Sequence, residues 1–526
     1  MIKSLFLFLA VGLFLTLQAG SPVEGLWQPP RKKIIDMSWS NPRVQWLKDN
    51  YQRIEKCAPV NGITISVIGE KIVDGKKVPV YGNNPWNPIP WEYEHFARDI
   101  ADLKAMKFTK FTDNFIFMTT YSANVDWFAD KDWVEIAKHF GIMARIAKET
   151  GMKGLLIDPE EYSKHFWCNY KGHSHDDAVK IARKRGQQVG EAIFREYQDI
   201  KLFCLFMFSF GTYLKGDAWT QTLSHSFFNG IYDVLPPTAT MIEGHEYFGY
   251  FAKSRTDFDK LRVDVDRTFM HRVAAKNIKK YRSQTQLAAP LYIDSYFPTC
   301  GVYKYLKPEI EKTPKLKFIR QQLAWALDVS DEYVWIYSET GAWWPKSAHP
   351  KAQKTWEEIL PGINNVINSV HNPAAHTPAG AVNLLHIPEL DKEPGKWSFW
   401  TAVKNDGKGG WKDGIIYMEG VKRTASVHQT VPIKGGKNYL LRIKARPRTP
   451  ISGTMSMYAG FRDTSNAWMP QKKTVYLDVD TNGQWHTLTM FIEAPAKAGK
   501  LSFQLQVTGL KNDECAEFKE PELFEL

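Results

Sequence analysis

The chain is poor in cysteine, with five in 526 residues and none in a C-x-x-C pair. A structural zinc site of the ribbon or finger kind is therefore not expected. This sparse, odd set (Cys57, Cys168, Cys204, Cys300, Cys515) allows at most two disulfides, and Cys204 lies in an apolar run as a core residue does. Beyond residue 20 no apolar run is long enough to span a bilayer, so no integral membrane segment is expected there. No glycine-rich phosphate loop follows an early strand, which argues against a doubly wound dinucleotide enzyme, the runner-up fold. The absence of a Gly-x-Ser-x-Gly elbow weighs against the usual serine esterases. No nucleic-acid-binding motif is recognisable, and nothing in the chain implies a cofactor.

Aromatic residues, by contrast, are abundant: 19 tryptophans, 22 tyrosines and 30 phenylalanines. Many must build core, but flat indole faces also stack on the C–H faces of sugar rings. The formal net charge of +11 suits an anionic partner such as a sulfated or uronate-bearing polysaccharide. Lys3, an apolar run from Leu5 to Leu17, and the small residues Ala19, Gly20 and Ser21 have the layout of a secretory signal peptide over residues 1–20. A secreted or periplasmic protein is the expectation.

Over residues 21–371, apolar runs alternate eight times with amphipathic stretches. The strand candidates are 34–39, 62–68, 108–118, 154–158, 202–208, 240–243, 287–293 and 333–337. Helical patterns occupy 42–58, 90–106, 132–150, 176–197, 220–234, 257–281, 316–329 and 352–370. This is the order of a (β/α)8 TIM barrel. Residues 372–380 are proline- and alanine-rich, as a linker is, and short alternating runs over 381–526 predict a β-sandwich.

Within that last region stand Asn383-Leu384-Leu385, Gly395-Lys396-Trp397-Ser398-Phe399-Trp400, His428-Gln429-Thr430-Val431, 437–446, Gly483-Gln484-Trp485 and 518–523. Together they resemble the jelly-roll carbohydrate-binding modules of the family 4, 9 and 22 type. A barrel carrying such a module resembles the (β/α)8 glycoside hydrolases. That resemblance implies a polysaccharide or oligosaccharide substrate and two carboxyl groups, one a proton donor and one a nucleophile or base.

The segment Gly154-Leu155-Leu156-Ile157-Asp158-Pro159-Glu160-Glu161-Tyr162 runs from an apolar strand straight into three carboxylates. The C-terminal tips of barrel strands are where such enzymes keep their acid–base groups. Asp158 and Glu160, two apart, share a face if the pleat continues, and close like charges raise one pKa. Their pattern is similar to the Asp-x-Glu ending the fourth strand of chitinase-like hydrolases, where the glutamate is the acid. Lys153, Leu155 and Leu156 replace that family's longer ladder of acids, so assistance by an acetamido group is not implied. The partner carboxylate is expected from Glu243, then Asp294, then Glu339, at the ends of strands six, seven and eight. Trp39, Trp86, Trp167 and Trp344 are candidate sugar-stacking walls, with His245 and Tyr296 as further substrate contacts. His173-Ser174-His175-Asp176 precedes a helix and reads as a cap rather than a metal cluster. Two other classes stay open: a glycan-binding barrel without chemistry, and a polysaccharide lyase.

Overall fold

The computed structural model describes residues 32–120, 125–161, 166–170, 172–210, 222–374, 377, 380–387, 397–477, 481 and 483–526. The expected signal peptide lies outside these residues, as does part of the 372–380 segment. The chain divides into two compact units between Gly380 and Ala381.

The first unit is an α/β barrel. Its strands are Lys33–Asp36, Gly62–Ile65, Phe115–Thr119, Gly154–Asp158, Lys201–Cys204 and Thr240–Glu243, then a seventh broken at Ala288 into Thr285–Leu287 and Ala289–Tyr292, and Tyr333–Tyr337. Neighbours pair in parallel throughout. The first half of the seventh strand pairs with the sixth, its second half with the eighth, and the eighth with the first, which closes the ring. Parallel pairing puts every C-terminal tip on one rim, so acids far apart in sequence share one mouth.

Helices alternate with the strands because their apolar residues recur on one face. On Asp130–Glu149, Trp133, Ile136, Phe140, Met143, Ala144 and Ala147 are all buried. Ser174 caps His175–Glu196 by accepting the Asp177 N–H, so the His-Ser-His-Asp segment does act as a helix start. That helix meets Ser224–Val234 at two glycines: a Cβ on Gly186 would lie 1.9 Å from the Phe227 carbonyl oxygen, and one on Gly230 2.1 Å from that of Arg183.

Four strands, the first, second, third and fifth, are shorter than the sequence predicts, and for the last two the reason is the same. Ahead of the third, the Glu55 carboxylate accepts the N–H groups of Thr109, Lys110 and Phe111 at 2.9, 2.7 and 2.7 Å, which holds that stretch as a loop. Beyond the fifth, residues 207–209 are gathered in the same way by Glu243.

The floor of the barrel is closed by paired charges. Asp113 receives Lys33 at 2.6 Å and the Tyr333 hydroxyl at 2.8 Å, while Lys201 bridges Glu332 and approaches the Tyr333 oxygen at 3.1 Å. Each buried carboxylate there has a cation or hydroxyl against it, as low polarity demands.

The second unit is a sandwich of two five-stranded antiparallel sheets. One orders Ser398–Thr401, Thr424–Pro432, Ala498–Thr508, Thr454–Asp463 and Trp468–Tyr476; the other Lys408–Lys412, Ile415–Glu419, Cys515–Glu525, Asn438–Pro447 and His486–Glu493. Alternate residues such as Val427, Leu505, Met457, Ile443 and Phe518 fill the space between them. All five cysteines are among the described residues, and none forms a disulfide there.

Candidate active site

At the rim, three carboxyl groups interact at the tips of strands four and six. Asp158 ends the fourth strand, and its Oδ1 accepts the Glu160 N–H at 3.0 Å. Burial, then the charge of Glu160, push the Asp158 carboxyl up to about 7. The third member is Glu246, not Glu243. It opens the short helix Glu246–Phe251 and is buried, with its carboxyl pushed well above the usual range by burial, then by Glu160 and Asp158. The Tyr250 hydroxyl, one helical turn on, interacts with Glu246.

Glu243 performs a different task. Its two carboxylate oxygens accept the N–H groups of Met207 (3.2 Å), Phe208 (2.8 Å), Ser209 (3.1 Å) and His245 (3.2 Å), and the Ser209 hydroxyl at 2.7 Å. With every acceptor direction in use, this side chain shapes the loop after strand five. The chain then turns through His245, whose φ of +50° lies in the left-handed region, and this turn carries Glu246 to the mouth. His245 is buried, with Nε2 standing 3.4 Å from Asp264 Oδ2, so it braces a helix instead of meeting solvent.

Asp294 also braces. Its oxygens accept the N–H groups of Glu339 (2.8 Å) and Thr340 (3.2 Å) together with the Thr340 hydroxyl, tying the tip of strand seven to that of strand eight. Glu339 faces the mouth: its Oε1 accepts the hydroxyls of Tyr292 at 2.8 Å and Tyr337 at 3.2 Å. Tyr250 packs on both, 4.7 Å from Tyr292 and 5.8 Å from Tyr337 between ring centroids. The tyrosines thus pack between Glu246 and Glu339 across three strand tips. Their spacing in sequence carries no periodic signal, and only closure of the ring brings them together.

The aromatic walls divide sharply. Trp39 is 40% exposed, and its N–H donates to the Ser338 carbonyl at 2.9 Å beside the eighth strand tip. It is partly open at the rim, with the His349 ring edge-on at 5.4 Å and the Lys351 ammonium over it at 4.7 Å. Trp86, Trp167, Trp344 and Tyr296 are interior, so the expectation that they line a sugar cleft is corrected. Trp86 sits among Trp133, Phe140, Phe166 and Trp167 at centroid distances of 5.1 to 6.3 Å. The Tyr296 hydroxyl is spent on Gln322. Trp167 acts through the backbone: its indole N–H donates to the Pro159 carbonyl at 2.8 Å and its own N–H to Glu161 Oε2 at 2.6 Å. It clamps the Asp158–Glu161 segment from below. Thr120 holds the other side, its hydroxyl donating to the Glu160 carbonyl at 2.7 Å.

Asp36, at the tip of strand one, is buried and pushed up to about 7 by that burial, although the Ser38 hydroxyl and the Trp343 indole N–H (3.2 Å) donate to it. With a folded pKa above the unfolded one near 4, the native state binds the extra proton between about pH 4 and 7, so stability falls as pH rises through that window. Asp36→Asn is expected to flatten this fall in melting temperature, as thermal scans across pH will show.

On the sandwich, the register aligns Trp400, Ser426, Gln506, Ser456 and Tyr476 in one row across the outer face of the first sheet. Trp400 and Tyr476 stand exposed on the two edge strands. Between them Gln506 donates to Gln504 at 2.9 Å and Gln504 to Ser502 at 3.1 Å. Aromatic edges around a ladder of amides form a face suited to sugar rings and their hydroxyls.

No protein-family model matches the chain, and no curated protein matches it. Among solved structures it is similar to the CBM22-1–GH10 modules of the Clostridium thermocellum endo-1,4-β-D-xylanase 10B, at 15% identity over 25% of this chain and 26% of that one, with a TM-score of 0.19. It is also similar to the N-terminal cellulose-binding domain of the Cellulomonas fimi β-1,4-glucanase C, at 18% identity over 26% of this chain and 93% of that one, with a TM-score of 0.20. The active domain of bacteriophage CBA120 tailspike protein 4 matches at 9% identity over 37% of this chain and 25% of that one, with a TM-score of 0.24. The chain therefore spans about a quarter of the tailspike and xylanase chains. Scores this low carry no argument about activity.

Proposed function

We propose that this protein is an exported glycoside hydrolase that cleaves glycosidic bonds of a polysaccharide by carboxylate acid–base catalysis. The observation that carries the reading is the interaction of Glu160 and Glu246 at one mouth, where burial and then the neighbouring charges raise the Glu246 carboxyl well above its usual range. A carboxyl raised in this way holds its proton to higher pH and suits donation to a leaving glycosidic oxygen, and a second carboxylate beside it serves as nucleophile or base. In this reading Glu246 is the acid and Glu160 its partner. Asp158 shares the charge load, and Glu339, held by two tyrosine hydroxyls, is placed for a sugar hydroxyl. Trp39 supplies the stacking surface.

Release of reducing ends from a polysaccharide panel, by the parent protein and by Glu160→Gln, tests this. Activity in the parent and its loss in the variant are expected. A parent inactive on every glycan, yet retained by one of them, would point instead to a binding protein on a barrel frame. Unsaturated products absorbing in the ultraviolet would mark a lyase. Trp39→Ala is expected to raise KM about tenfold while leaving most of kcat, because the indole touches the chain and not the scissile bond.

A further inference from the structure

We infer that the sandwich carries a second, separate site: an anion pocket that takes the sulfate or carboxylate groups of an acidic polysaccharide. At one end of the sandwich, the loop following Ser398–Thr401 and the turn between Ile415–Glu419 and Thr424–Pro432 enclose a cavity of about 530 Å³. Lys404, Lys408, Lys422 and Arg423 line it, against two carboxylates, Asp406 and Glu419.

One of the two acids is already engaged. Asp406 is buried and accepts the N–H groups of Lys422 at 2.9 Å and Arg423 at 2.7 Å, so it fixes the turn that presents two of the cations. Glu419 remains in the lining as the one carboxylate facing the four cations, with the charge of Arg448 acting on it from outside the cavity. The four cations, all exposed, have no ion-pair partner among the described residues.

On the other sheet Arg442 pairs with Glu522 at 2.7 Å, Lys444 with Glu520 at 2.6 Å, and Arg446 and Arg448 both with Glu517 at 2.8 Å. Around the cavity, Lys404, Lys408, Lys422 and Arg423 make no such pair among the described residues. The cavity opens three residues from Trp400, which starts the aromatic row, so a chain stacked on that row has its charged substituents within reach of the lysines. The excess of 68 basic over 57 acidic residues acts in the same direction by drawing anionic polymers to the protein.

The inference rests on the glycan reading but not on catalysis, so binding is the readout. Full-length protein and the double variant Lys404→Glu/Lys422→Glu are titrated with fluorescent oligosaccharides of a sulfated galactan, a polyuronate and a neutral β-glucan, at low and high salt. The parent is expected to bind at least one charged glycan, with affinity falling as salt rises. The double variant is expected to lose about tenfold or more for that glycan, since two exposed attractions become repulsions. Its affinity for the neutral glycan and its melting temperature should be unchanged. The two charged arms distinguish sulfate from carboxylate as the group held. Equal affinity of parent and variant for the charged glycans overturns the pocket and leaves the glycan reading standing. Failure to bind any of the three overturns both.

Discussion

Glu246→Gln is expected to lower kcat by about a thousandfold on any substrate the parent cleaves, within the range lost when a positioned acid is removed. The amide keeps the shape of the side chain and removes its proton. KM should change little, because a group that acts on the leaving oxygen contributes mainly in the transition state. The parent's activity should decline as pH rises past the point where Glu246 ionises, and that decline should vanish in the residual rate of the variant. Glu160→Gln should be equally inactive. It should also let the Asp158 carboxyl fall below its value of about 7, since the Glu160 charge helps to hold it there. A carboxyl titration followed by NMR in that variant reads this directly. If Glu246→Gln turns over as fast as the parent, the assignment of the acid is wrong.

The opposite profile is expected of Glu243→Ala. Removing this carboxylate leaves the buried N–H groups of Met207, Phe208, Ser209 and His245 without their acceptor. Orphaned donors of this kind cost about 3–5 kcal/mol in total. Denaturant midpoints should therefore drop sharply. Whatever fraction remains folded should lose activity through a disordered rim, without the pH signature that marks the loss of an acid. The two glutamates, three residues apart, thus separate chemistry from architecture.

That separation shows what the sequence conveyed and where it stopped. Continuous apolar runs located all eight strand positions, with 154–158, 240–243 and 333–337 placed at their observed bounds, because a strand covered by helices on one face and layered core on the other must be apolar throughout. Asp158 and Glu160 followed from the strand they terminate. Glu246 did not, since strand alternation ends at Glu243 and the left-handed turn at His245 redirects the chain in a way no periodicity records. Side chains braced from far along the chain were equally hidden: Asp294 on residues 339 and 340, Glu55 on 109–111. The hairpin formed by Ile68–Val73 and Lys76–Tyr81 was missed despite a local signal. Asp74-Gly75, both at positive φ (50° and 75°), is a turn pair flanked by strand formers. Tryptophans near strand ends misled, because a large flat ring fills an interior layer as readily as it paves a groove.

The clamp exerted by Trp167 has a consequence for how the molecule fails. Its indole belongs to a nest of rings beneath the rim, meeting Phe166 at 4.9 Å and Phe227 at 5.7 Å edge to face, while its N–H grips the peptide between the two acids at the fourth strand's tip. The reactive segment therefore cannot slacken while the nest is intact. On heating, loss of turnover and the red shift of tryptophan emission should fall on a single curve, and a partly loosened, still emissive but inactive form should not accumulate.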